Sequence, residues 1–148
     1  MIFMNNPSKL EQQLCFEVYK ASSNFSKLYA RTLEPFHLTF SQYLVLLTLW
    51  EQNNLLVKDI GNQLGLGIGT LNPIINRMIA NGWLNKEQSD KDKRAFVISL
   101  TEKALEQEKP IERAIISKIT SCNYLDINAK TLMTSLKELN AFLNQLKE

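Results

Sequence analysis

The tripeptide Gly65-Leu66-Gly67 constrains this chain's fold more than any other segment, because it leaves room for only one tight turn between two short stretches of helical periodicity. Lys58 to Leu64 places Ile60 and Leu64 on one face, and Ile68 to Ala80 repeats the pattern with Leu71, Ile75, Met78 and Ile79. Glycine at such a turn supplies the positive φ that other residues avoid. Pro73 fits the second stretch only near its first turn, where few backbone N–H groups have helical acceptors. Asn81-Gly82 closes that helix, with Gly82 as the left-handed cap.

Two extended runs follow, Trp83 to Gln88 and Ala95 to Leu100, joined by the polar segment Ser89 to Arg94. In the second run Phe96, Ile98 and Leu100 alternate with Val97 and Ser99, as in a half-exposed antiparallel strand, so the polar segment is a hairpin tip. Upstream, Leu10, Leu14, Val18, Ala21, Phe25 and Leu28 predict a long amphipathic helix from about Lys9 to Leu33, which Pro35 ends. Thr39 with Gln42 forms a capping-box pattern ahead of an apolar second helix starting near Ser41. Asn53-Asn54 breaks it, and Leu55-Leu56-Val57 is a minor strand. Downstream, Thr101 caps a helix from Glu102 to about Ile119 in which Pro110 is a bend, and Asp126 caps a final helix carrying Leu132, Leu136, Leu139, Leu143 and Leu146 on one face.

The expected fold is therefore mainly α with a small β-hairpin wing: a winged helix-turn-helix between long terminal helices, within a single domain over 1–148. The net charge of +2 is too small to argue for nucleic acid by itself. Its distribution argues better, since Arg77, Lys86, Lys91, Lys93 and Arg94 fall within one short span. In a winged helix the second short helix enters the major groove and the hairpin tip follows the backbone or minor groove. The positions offered to double-stranded DNA are Thr70, Asn72, Asn76 and Arg77 on that helix and Lys91, Asp92, Lys93 and Arg94 on the wing. Asn pairs with adenine, Arg with guanine, and Thr with a phosphate or a thymine methyl. A merely solvated polar face is the plainer alternative.

Cys15 shares a helix face with Tyr19, Ser22, Ser26 and Tyr29, all within roughly 40° at about 100° per residue. Hydroxyl groups beside a thiol suit a reactive cysteine, whereas a small buried hydrophobe is its plainer role. Cys15 and Cys122 are too far apart to suggest a loop staple, and with only His37 beside them no metal site is expected. No cofactor is called for. The N-terminus lacks a signal core and no run is long enough for a membrane span, so a reducing cytoplasm is the expected compartment.

The sequence resembles the MarR family of winged-helix repressors, and over nearly its whole length its organic hydroperoxide sensor branch, OhrR. The matching blocks are Gln13-Leu14-Cys15-Phe16 with Tyr19, Leu38-Thr39 with Gln42-Tyr43, and Trp50-Glu51. Gly69-Thr70-Leu71 with Pro73 and Arg77-Met78, and Asp92 with Arg94 ahead of Ile98-Ser99-Leu100-Thr101, complete the pattern. The resemblance implies a homodimer that binds an inverted-repeat operator when reduced and releases it when an organic hydroperoxide oxidises Cys15. It places the DNA-binding winged helix at about 53–101 and the dimerisation helices at about 8–34 and 102–147. Cys15 and Tyr29 lie roughly 21 Å apart along one helix axis, so they meet only if two first helices lie side by side.

The chain departs from the branch at two places. Phe40 stands where a second tyrosine is usual, removing a hydroxyl partner of the thiol. Gly67-Ile68-Gly69-Thr70-Leu71-Asn72-Pro73 replaces Asp-Ser-Gly-Thr-Leu-Thr-Pro, which implies a different operator with Ile68 offering only apolar contact. Some members carry a distal resolving cysteine, and Cys122 lies in the corresponding region. Two further readings stay open: a MarR-type repressor released by a small phenolic or lipophilic ligand, and a thiol enzyme that reduces peroxides. The enzyme reading is weakened by the lack of a His, acid or metal constellation near Cys15.

Overall fold

A computed structural model describes residues 8–121 and 123–146, the side chains of 123–127 excepted. The elements run α1 (Leu14–Leu33), a 3-10 turn (Glu34–Phe36), α2 (Phe40–Glu51), β1 (Leu55–Leu56), α3 (Val57–Leu64), α4 (Ile68–Ala80), β2 (Leu84–Gln88), β3 (Phe96–Leu100), α5 (Glu102–Thr120) and α6 (Asn123–Gln145). Two compact units result, one up to residue 111 and one from 112 onward, with the boundary inside α5.

The first unit is organised by hydrogen-bonded caps around an apolar core. The Thr39 side chain accepts from the Gln42 N–H while the Gln42 carboxamide accepts from the Thr39 N–H, the reciprocal pair that the spacing predicts. Behind this cap α2 buries Tyr43, Val45, Leu46 and Leu49. They join Ile60 of α3, Leu71, Ile75 and Met78 of α4, and Trp83, Leu84 and Ile98 of the hairpin in the core. The Trp50 indole N–H donates to the Ala104 carbonyl at 3.0 Å, fastening α2 to the start of α5.

The sheet is antiparallel in the order β1-β3-β2. Leu55 pairs with Ile98, and Leu84 with Leu100. The Asn53 carboxamide oxygen accepts the Leu100 N–H at 3.0 Å, so a residue just past the end of α2 anchors the wing's return strand. At the base of the hairpin the Thr101 hydroxyl donates to the Gly82 carbonyl at 2.7 Å and accepts the Ala104 N–H at 3.2 Å, capping α5 as expected.

Several expectations change. The first helix begins at Leu14, not Lys9. Ser8 and Glu11 cap an isolated turn reciprocally, then Gln13 adopts an extended backbone (φ −90°, ψ 126°) and becomes the N-cap of α1. Val57 begins α3 instead of extending β1, and Trp83 and Ala95 lie outside the strands. Of the alternating set on β3, Ile98 and Leu100 are buried but Phe96 is 38% exposed, because the hairpin projects beyond the core there. Pro110 lies inside an unbroken α5, and α6 begins at Asn123, before Asp126.

In the second unit α6 exposes Met133, Leu136, Phe142 and Leu143, and Leu146 just past its end is exposed as well. On α1, Leu14 and Val18 are exposed as well.

Candidate nucleic-acid interface

The two-helix turn is set by two glycines. At the end of α3, Gly65 has φ 70°, and the Leu66 N–H returns to the Gly61 carbonyl at 2.9 Å. A Cβ built on Gly61 lies 2.7 Å from the Leu66 carbonyl oxygen, so the turn passes over α3 where no side chain fits. This contact fixes where α4 starts. α4 then buries Leu71, Ile75 and Met78 and leaves Thr70, Asn76 and Arg77 exposed, with Asn72 half-buried. Ile68 is 53% exposed at its first position. The N-cap, Gly67, supplies no side-chain hydrogen bond to the first turn of α4, and its carbonyl accepts the Thr70 and Leu71 N–H groups at 3.2 and 3.0 Å.

The wing tip is braced from within. The Asp92 carboxylate accepts the Arg94 N–H at 3.0 Å, and its carbonyl accepts the Ala95 N–H at 3.0 Å. The Ser89 hydroxyl accepts the Lys91 N–H, and the Gln88 carboxamide donates to the Lys93 carbonyl. Lys91, Lys93 and Arg94 are exposed on this frame, and among the described residues none of them forms an ion pair. Asp92 thus has a structural task within the tip, while the three cations face outward. Lys86 on β2 lies over the Phe96 ring, 4.4 Å from its centroid.

The stripe around Cys15 separates into two regions. Cys15 is exposed in the first turn of α1, and Tyr19, one turn later, is 70% exposed. Ser22 and Ser26 are exposed too. Tyr29 is instead packed in an aromatic cluster, its ring centroid 4.7 Å from Phe40, 5.8 Å from Tyr43 and 6.3 Å from Phe25. Burial there raises the Tyr29 pKa above the usual 10.0. Phe40, where the branch usually has tyrosine, thus packs directly on Tyr29. Cys122 lies outside the described residues.

The sequence reading passed over Gly61 and Lys58, and took Asn53 only as a helix breaker. A glycine inside a short helix is the signal for Gly61, and an asparagine at a helix end for Asn53. Lys58 occupies the first turn of α3, where the helix dipole disfavours a cation. Among the described residues no cluster of three or more His, Cys, Asp or Glu could hold a metal, and no helix is long and apolar enough to cross a membrane.

Residues 27–111 match the family described as transcriptional regulator SarA/Rot. Over 105 residues the chain is 45% identical to the organic hydroperoxide resistance transcriptional regulator of Bacillus subtilis, covering 70% of this chain and 71% of that protein. It is 31% identical over 144 residues to the HTH-type transcriptional regulator MgrA of Staphylococcus aureus, covering 97% and 93% of the two chains. Among solved structures, reduced AbfR bound to DNA is 37% identical with a TM-score of 0.83, covering 95% of this chain and 96% of that one. AbfR, from Staphylococcus epidermidis, has also been solved overoxidised on DNA and with a disulfide formed, with TM-scores of 0.72 and 0.70 to this chain.

Proposed function

This chain belongs to the SarA/Rot family of winged-helix transcriptional regulators, and from that premise we propose that it is a cytoplasmic homodimeric repressor switched by Cys15. Reduced, it holds an inverted-repeat operator through α4 and the wing. An organic hydroperoxide oxidises Cys15, and the operator is released. The observation that carries this reading is the exposed thiol in the first turn of α1, on a chain that also presents a polar α4 face and a cationic wing. The names of the Bacillus relative and the AbfR structures support it: one concerns organic hydroperoxide resistance, and the other has reduced, overoxidised and disulfide states.

The Cys15 thiolate attacks the terminal oxygen of the hydroperoxide, the O–O bond breaks, and the alkoxide leaves and takes a proton to become the alcohol. Sulfur gains that oxygen as a sulfenic acid, losing two electrons to the peroxide. The open N–H groups in the first turn of α1 favour negative charge on the oxidised group. If the Cys122 thiol then condenses with it, water leaves and a disulfide forms.

Within one chain Tyr29 is roughly 21 Å along the axis from Cys15 and cannot serve it, so Tyr29 acts on the Cys15 of a second subunit. Exposed Leu14 and Val18 on α1, and Leu136 and Leu143 on α6, supply apolar surface for that pairing. A twofold dimer reads half-sites about one helical turn apart. In this reading Ile68, Thr70, Asn72, Asn76 and Arg77 face bases, while Lys91, Lys93 and Arg94 follow the backbone on the frame that Asp92 braces.

A second reading, release by a small phenolic or lipophilic ligand without thiol chemistry, is favoured by the Phe40 ring packed on Tyr29, which puts a phenyl ring where the branch usually offers a second tyrosine hydroxyl. Fluorescence anisotropy on the chain's own upstream DNA separates the two. One equivalent of cumene hydroperoxide releases the wild type and leaves Cys15→Ser bound under the thiol reading. If both stay bound, the thiol reading falls.

A further inference from the structure

The C-terminal end of α4 is closed by its own backbone. The Trp83 N–H donates to the Met78 carbonyl at 2.9 Å and the Gly82 N–H to the Ile79 carbonyl at 3.1 Å, with Gly82 left-handed, the paired bonds of a Schellman motif. Beyond that closure, the start of α5 reaches back to three successive carbonyls. The Lys103 Nζ donates to Asn81 at 3.1 Å, and the Thr101 hydroxyl shares its proton between Gly82 at 2.7 Å and Trp83 at 3.2 Å. We propose that Lys103 is a positioning residue for operator discrimination: it straps the end of α4 to α5 and so sets where Arg77 meets the bases. This rests on the reading of α4 as the helix that meets DNA bases, and adds to it a residue that lies on a different helix.

Lys103 gains nothing from its own helix. It stands in the first turn of α5, where the helix dipole disfavours a cation, and among the described residues it makes no ion pair. Its charge is matched across the chain instead. Nζ lies at the C-terminal end of α4, where the dipole favours a cation, and 4.5 Å from the centroid of the Trp83 ring. Trp83 is buried, so that ring is a fixed platform. The root of the side chain is fixed as well. The Ala104 N–H bonds the Thr101 hydroxyl at 3.2 Å, and the Ala104 carbonyl accepts the Trp50 indole N–H at 3.0 Å, so the turn that bears Lys103 is held to α2.

The strap ends on the turn that bears Arg77. The Asn81 N–H donates to the Arg77 carbonyl at 2.9 Å, so the residue that Lys103 grips by its carbonyl is bonded through its amide to the residue offered to guanine. Because the Schellman bonds close α4 without Lys103, loss of the amine leaves the helix formed and frees its last turn to shift. A lysine that bound phosphate would act otherwise, weakening all DNA alike and lowering the salt dependence.

The test measures affinity for the upstream duplex and for a scrambled duplex over a series of KCl concentrations. It compares wild type, Lys103→Met, Lys103→Arg, Arg77→Ala and the variant carrying both Arg77→Ala and Lys103→Met. Methionine keeps an apolar stem over Trp83 and removes the charge and the donor. The proposal predicts that Lys103→Met lowers the preference for the upstream duplex at least about fivefold, the lower end of what one base contact is worth, with the slope of log affinity against log salt unchanged. Lys103→Arg keeps the preference, because a guanidinium still donates to Asn81 and lies over Trp83. Tryptophan emission of the free protein changes in Lys103→Met and is kept in Lys103→Arg, while far-ultraviolet circular dichroism is the same in all. In the Arg77→Ala background Lys103→Met has no further effect on the preference, since both act through one contact. An unchanged preference in folded Lys103→Met overturns the proposal, as do effects of the two substitutions that simply add. A slope lowered by about 1 with both duplexes weakened alike makes Lys103 a phosphate contact and also overturns it. If the wild type prefers neither duplex, the base-reading role of α4 falls and the proposal with it.

Discussion

Gly61→Ala tests whether the α3–α4 turn is set by close approach of backbone to backbone. An alanine Cβ there lies 2.7 Å from the Leu66 carbonyl oxygen, roughly 0.7 Å short of the 3.4 Å at which ordinary contact begins. The turn cannot simply lift away, because the Leu66 N–H is bonded to the Gly61 carbonyl at 2.9 Å. Overpacking costs about 1–3 kcal/mol, and a clash against backbone that is itself hydrogen-bonded in place falls in the upper part of that range, about 2–3 kcal/mol. Replacing a helical glycine by alanine returns up to about 1 kcal/mol of helix propensity, so the net loss is about 1–2 kcal/mol. At roughly 2–4 °C per kcal/mol for a chain near this size, Tm falls by about 2–8 °C. The assay is thermal unfolding by circular dichroism at matched protein concentration, since a dimer's Tm depends on it. DNA affinity, measured well below Tm, falls as well, because α4 starts from a shifted turn. An unchanged or higher Tm refutes the reasoning, for propensity alone would then decide the outcome.

Two other predictions concern the wing and the aromatic cluster. Asp92→Ala removes a negative charge from a surface meant for phosphate, yet it weakens binding of every duplex, because the tip loses the acceptor of the Arg94 N–H; anisotropy showing tighter binding contradicts this. Burial raises the Tyr29 pKa, so the folded state holds the phenolic proton more strongly than the unfolded state. That stabilisation is present below the usual value near 10 and is lost as pH rises through the folded value, so urea midpoints at about pH 9 and pH 11 fall further in wild type than in Tyr29→Phe. Equal declines in both proteins contradict it.

The parts of the fold that were legible in the sequence are those written in local chemistry. Thr39 with Gln42 caps α2 as its spacing predicts, Gly82 takes the left-handed conformation (φ 81°), and the hairpin returns through Ser89 to Arg94. The start of α1 was not legible, because Ser8 with Glu11 is also a capping signal and apolar periodicity runs straight through Gln13. Leu10 is 56% exposed, so burial does not hold its turn in line with the helix. That displacement moves Cys15 from the interior of a helix to its first turn. At the interface, residue type and spacing pointed to the outward face of α4 and the cationic tip. The strap at Lys103 was hidden because it joins residues far apart in sequence, and a single lysine in a first turn looks like ordinary solvated charge. The Tyr29 cluster was hidden for the same reason, since Phe40 and Tyr43 reach it from α2.

The most direct test of the thiol switch is native mass spectrometry of the protein on its upstream duplex during stepwise addition of cumene hydroperoxide, with peptide mapping of the bound and released fractions. The account predicts two subunits per duplex at the start and one oxygen gained at Cys15 before each complex is lost, with no loss for Cys15→Ser. Complexes that persist after Cys15 is fully oxidised, or that come apart while Cys15 is unmodified, contradict it.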